Sequence, residues 1–146
     1  MKTYGGFLVS RIHQLQSRAF EKLLRDSGVD AFNGAQGRIL YVLWEHETLT
    51  ITQIGRLTSL AKTTLTSMLD RMEQAELITR VPDKKNRRQI FITITDKAKG
   101  YKADYDKVSE QMNTMFYQDF KDHEILAFEN TLRKIIDNLE KKGDDE

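Results

Sequence analysis

The chain contains no cysteine, which excludes a disulfide scaffold, a thiolate metal site, a cysteine nucleophile and a thiol-based redox sensor. It has one proline, Pro82, so helices can run long on either side of that position. No apolar run approaches the ~18 residues that a membrane span needs. The start, Met1-Lys2-Thr3-Tyr4-Gly5-Gly6, lacks the apolar stretch and cleavage site of a signal peptide, which points to a cytoplasmic protein. No Gly-rich phosphate loop, no His-x-x-x-His pair and no Gly-x-Ser-x-Gly elbow occurs, so the expectation is a protein that is not an enzyme and carries neither cofactor nor metal.

What is present is 146 residues, 39% hydrophobic and 31% charged, enough apolar material for a core of one domain spanning 1–146. The net charge is only +1, but its distribution is uneven. Arg80, Lys84, Lys85, Arg87 and Arg88 crowd one short segment, interrupted by Asp83 alone, whereas Asp137, Glu140, Asp144, Asp145 and Glu146 make the tail acidic. A short basic segment by itself is usually a solvated loop.

Spacing of apolar residues organises the rest. Leu8, Ile12, Leu15, Ala19 and Leu23 predict a helix over about 4–27, with Gly28 suited to end it. Asn33 with Gln36 reads as a capping box opening a helix that ends near His46, and Thr50 with Gln53 reads as a second box opening a short helix. Thr58-Ser59-Leu60 is a turn, and Leu65, Met68, Leu69 and Met72 are the buried stripe of a helix from about Lys62 to Ala75. Two short helices around a tight turn are a helix-turn-helix. Leu77 to Val81 and Gln89 to Thr95 then read as the strands of a two-stranded hairpin with a basic tip, in which Pro82 is tolerated because both strands are edges. A helix capped by Thr95 or Asp96 runs through Ala98, Tyr101, Tyr105, Val108, Met112 and Met115. Asp119 to Asp122 interrupt it, and Ile125, Phe128, Leu132, Ile135 and Leu139 mark a final helix that frays from Lys141. The stripes at both ends of the chain either pack on each other or pair across a dimer, and excess apolar surface favours the dimer.

The expected fold is therefore mainly α with a small β-hairpin wing: a winged helix-turn-helix over about 33–95, flanked by long dimerisation helices over about 4–27 and 96–141. That order of elements suits duplex DNA. A helix fits the major groove, and a hairpin arginine reaches the adjacent minor groove. Lys62, Thr63, Thr64, Thr66 and Ser67 offer hydroxyls, methyls and a cation to base edges and phosphates, and Lys84, Lys85, Arg87 and Arg88 supply the wing. Arg71 either touches phosphate or pairs with an acid. His46, between Glu45 and Glu47, reads as a helix-end cation rather than a ligand. His13, Tyr41, Trp44, Tyr101 and Tyr105 are either core packing or the lining of a cleft for a small aromatic acid.

The stretch from Ile54 to Glu73, followed by Arg80-Val81-Pro82-Asp83, Arg87-Arg88 and Ile94-Thr95, resembles the MarR family of bacterial transcription regulators across nearly the whole chain. The resemblance implies a homodimer that binds a pseudo-palindromic operator, most often as a repressor, and that a small phenolic or anionic compound can release. It places the recognition helix at Lys62 onward and aligns the wing-tip arginine with Arg88. Two positions depart from the family pattern. Asn86 stands where an acid usually orients that arginine, and Ala61 stands where a serine usually caps the recognition helix. The competing expectation is a winged helix that binds protein and not DNA.

Overall fold

A computed structural model describes residues Met1 to Asp144. The chain divides into two compact units, residues 1–112 and Asn113 onward.

In the first unit, α1 (Gly5–Asp26) and α2 (Gly34–His46) lead into β1 (Thr48–Thr50), α3 (Ile51–Thr58), α4 (Lys62–Gln74), β2 (Ile78–Pro82), β3 (Ile90–Ile94), α5 (Asp96–Lys99) and α6 (Lys102–Phe116), the last crossing the boundary. Local chemistry sets the ends. Gly28, at φ +73°, closes α1: its N–H bonds the Arg25 carbonyl and the Val29 N–H reaches back to Leu24. Both expected capping boxes form. Asn33 Oδ1 accepts from Gln36 N at 2.8 Å, and Thr50 Oγ1 accepts from Gln53 N at 3.1 Å, each returned by the glutamine side chain.

The core gathers Ile39, Leu40 and Leu43 of α2, Ile54 of α3, Leu65, Leu69 and Met72 of α4, and Ile78, Ile92 and Ile94 of the sheet. Each such side chain withdrawn from water contributes about 1.5–3 kcal/mol. Leu65, Leu69 and Met72 recur at steps of four and three, which turns the opposite face of α4 to solvent. Gly37 lets α2 pack closely on α6, since a Cβ there would lie 3.0 Å from Tyr105 Cε2.

Three expectations about elements are corrected. The sheet has three antiparallel strands in the order β1-β3-β2, so β3 is central and only β2, with Pro82, is the wing's edge strand. The three residues of β1 are too few to show an alternating pattern; the strand exists because Leu49 pairs with Ile92 and is buried with it. The helix expected from Thr95 through Met115 is broken around Gly100, where the Tyr101 N–H turns back to the Ala98 carbonyl.

The second unit holds the end of α6, a turn with Asp119 at φ +67°, and α7 (Asp122–Asp144). Phe116, Tyr117, Phe120 and Phe128 pack edge-on or tilted within it, and the Tyr117 hydroxyl donates to Glu129 Oε2 at 2.7 Å. The third correction falls here. α7 is helical to Asp144, three residues past the expected bound at 141, while Asp145 and Glu146 of the acidic tail lie outside the described residues.

Apolar surface is left at both ends: Phe7, Leu8, Val9, Ile12 and Leu15 on α1, and Leu126, Ile135, Ile136 and Leu139 on α7. No helix among the described residues is long and apolar enough to cross a membrane.

Candidate nucleic-acid interface and ligand cavity

The outward face of α4 presents Lys62, Thr63, Thr64, Thr66 and Ser67, all exposed. Ala61 occupies the N-cap and provides no side-chain bond, so the first amides of α4 face outward unsatisfied by any cap. Ser59 does not substitute for the missing hydroxyl: at φ +58° it is the left-handed residue that ends α3. A helix start of this kind favours an anionic oxygen. Thr66 Oγ1 donates to the Lys62 carbonyl at 2.9 Å, so its proton is used within the helix and it offers outward a methyl and an acceptor.

The wing tip is folded by its own backbone. Asp83 Oδ1 accepts from Lys85 N at 2.9 Å and Asn86 Oδ1 from Arg88 N at 3.2 Å. Gln89 closes the loop, its carbonyl accepting from Asp83 N and its N–H donating to Asn86 O. Asn86 thus shapes the turn under Arg88 through the main chain, without a carboxylate. Lys84, Lys85, Arg87 and Arg88 are exposed, and none of them takes part in an ion pair among the described residues.

Arg71 is exposed and forms no ion pair among the described residues. The acid beside it, Asp70, pairs instead with Arg80 of β2, Nη2 to Oδ1 at 2.7 Å. The sequence carries no signal for this pair, because ten positions and a turn separate two charges that share no helix face.

The aromatic candidates divide. A cavity of about 230 Å³ lies among α1, α2 and α6, and His13 and Tyr105 line it together with Phe20, Glu21, Gly34 and Arg38. Glu21 Oε1 accepts from Gly34 N at 2.5 Å, at the first turn of α2. Burial raises the Tyr105 phenol above its ordinary value, opposed by a hydrogen bond with Ser109 and by the Arg38 charge, so at neutral pH it is a neutral hydroxyl. Trp44, Tyr101 and Tyr41 stand outside this cavity. Trp44 Nε1 donates to the Ala98 carbonyl at 3.0 Å, and its ring centroid lies 5.0 Å from that of Tyr105 and 6.2 Å from that of Phe32. Tyr101 packs edge-on to Phe32. Tyr41 covers Tyr105 from the surface, its phenol raised by a hydrogen bond with Glu45. Spacing did not point to Phe20, Glu21, Gly34 or Arg38, which converge only through the crossing of α1 and α2.

Comparison with known proteins agrees with this geometry. The MarR family model matches residues 32–90. The organic hydroperoxide resistance transcriptional regulator of Bacillus subtilis is 47% identical over 57 residues, but the match spans only 39% of either chain. The uncharacterized HTH-type transcriptional regulator YsmB of Bacillus subtilis is 32% identical over 101 residues, 68% of each chain. The solved structure of reduced AbfR bound to DNA superposes with a TM-score of 0.71 at 27% identity, over 91% of this chain and 89% of that one. With the helix-turn-helix, the wing and these relatives in agreement, the chain belongs to the MarR family of transcriptional regulators.

Proposed function

We propose that the protein regulates transcription in the cytoplasm, most simply as a repressor, by binding duplex DNA as a homodimer. The observation that carries this reading is the pairing of an uncapped, hydroxyl-bearing face of α4 with a wing whose Lys84, Lys85, Arg87 and Arg88 form no ion pair among the described residues. Four unpaired cations on one loop repel one another, and phosphates relieve that repulsion. Thr63, Thr64, Thr66 and Ser67 are the base-edge candidates, Lys62 a phosphate or base contact, and Arg87 and Arg88 the minor-groove contacts. The exposed apolar residues of α1 and α7 supply the surface that a second copy covers, so each operator has two half-sites about one helical turn, roughly 34 Å, apart.

The cavity beside α1 and α2 adds a control site. Phe20 and the Tyr105 ring give it an apolar wall; the Glu21 carboxylate in that wall is engaged by the Gly34 N–H, and Arg38 supplies the cation and His13 a ring nitrogen that would receive the carboxylate of a small aromatic acid. A compound that binds better to a dimer whose α4 helices no longer match the groove spacing weakens DNA binding ~5–150-fold for ~1–3 kcal/mol of coupling.

The test is selection of bound duplexes from a random pool with the purified protein, followed by titration of a salicylate-like panel against the selected complex. A two-fold symmetric motif supports the reading. Recovery of no motif, together with capture of a protein partner through the same face, would favour the protein-interaction alternative.

A further inference from the structure

Asp70 is an anomaly on a helix read as facing DNA. It lies on α4 with 56% of its side chain exposed, and a bare carboxylate there repels phosphate. Arg80 neutralises it from β2, with Nη2 2.7 Å from Oδ1. The arginine is the more enclosed partner, its side chain 24% exposed. Its Nη2, which faces the carboxylate, and its Nε are shut off from solvent and make no aligned hydrogen bond, so a phosphate has no route to those two nitrogens. Arg80 also stands opposite Ile92 in the β2–β3 ladder, two residues before Pro82, where the wing leaves the sheet.

We infer that Asp70 and Arg80 are positioning residues for DNA recognition: the ion pair ties α4 to the base of the wing and fixes the angle between them. With that angle set, the hydroxyls of α4 and the cations of the wing engage one duplex together, and neither Asp70 nor Arg80 touches it. This inference rests on the DNA-binding reading above.

Charge alone and positioning make opposite predictions. By charge alone, Asp70→Asn removes an anion from the DNA-facing helix and tightens binding. By positioning, it frees the angle between α4 and the wing and weakens binding, by about 5–10-fold for the loss of one partly enclosed ion pair in each subunit. Arg80→Gln weakens binding to a similar degree, yet leaves the salt slope at its wild-type value, whereas loss of a phosphate contact lowers the slope by ~0.9 per phosphate. The double variant Asp70→Asn/Arg80→Gln is no weaker than either single one, because both remove the same interaction. Arg80→Lys, which keeps the charge but not the planar fork, falls between wild type and Arg80→Gln.

The experiment is fluorescence anisotropy of the full chain with a duplex selected from the random pool, at a series of KCl concentrations. Thermal melting of each variant runs alongside to show that it is folded, and Arg80→Lys carries the test should Asp70→Asn not fold. Weaker binding by Asp70→Asn at an unchanged slope for Arg80→Gln supports the inference. Binding by Asp70→Asn as tight as wild type, or a slope lowered by Arg80→Gln, overturns it while leaving the DNA reading intact. A wild-type protein that binds no duplex at all overturns both.

Discussion

Trp44→Phe separates the two readings of the aromatic cluster. In the structure Trp44 is a packing residue: its Nε1–H is given to the Ala98 carbonyl at 3.0 Å, and its ring rests between Phe32 and Tyr105. Phenylalanine keeps an aromatic ring there but removes the donor. The Ala98 carbonyl retains the Tyr101 N–H at 3.1 Å, so it is not stranded, and the loss is a net hydrogen bond of about 1 kcal/mol. The smaller ring also leaves roughly 40 Å² of apolar surface unfilled, about 1 kcal/mol more. The sum, about 2 kcal/mol, lowers Tm by about 4–8 °C for a chain of this size. The assay is thermal melting followed by circular dichroism, with wild type and variant at one protein concentration because any self-association shifts Tm. An unchanged Tm would refute the packing assignment and return the ring to a ligand pocket.

Other outcomes follow from the same structure. Ile135→Asp on the exposed face of α7 converts a sedimenting dimer to monomer or aggregate, because a second copy would have to bury the new carboxylate; an intact dimer would place the interface elsewhere. Gly37→Ala sets a methyl 3.0 Å from Tyr105 Cε2, so that ring gives way by a few tenths of an ångström and the near-ultraviolet dichroism of the aromatic cluster changes; an unchanged spectrum would contradict the close approach of α2 to Tyr105. Thr66→Ala removes an outward methyl and acceptor and changes base preference in the selected motif at major-groove positions, whereas Arg88→Ala weakens binding chiefly at A·T-rich flanks; indistinguishable motif changes would contradict that division.

Much of the fold was legible because the sequence states it locally. Asn33 with Gln36 and Thr50 with Gln53 are complete capping boxes within four residues, and the i, i+4, i+7 stripe of Leu65, Leu69 and Met72 assigns α4 a buried and an exposed face. What stayed hidden depends on partners distant in the chain. β1 is three residues whose strand character comes from β3, and Arg80 looks like one more wing cation until β2 brings it to Asp70. The cavity shows the same limit. Spacing offered five aromatic and imidazole candidates, and the crossing of α1 over α2 keeps two of them, His13 and Tyr105, at the cavity wall while Trp44 and Tyr101 go to the core and Tyr41 to the surface. Helical periodicity identifies a face, but not which neighbour that face meets.

The central claim is that α4 and the basic wing bind duplex DNA, and the salt dependence of that binding tests it most directly. Two subunits that neutralise about 8 phosphates give a slope of log K against log salt near −7 on a selected duplex. Replacing Arg87 and Arg88 together by glutamine removes 4 cations from the proposed dimer and flattens the slope by about 3.6. A wild-type slope near zero, or a double variant that keeps the wild-type slope, would contradict the account.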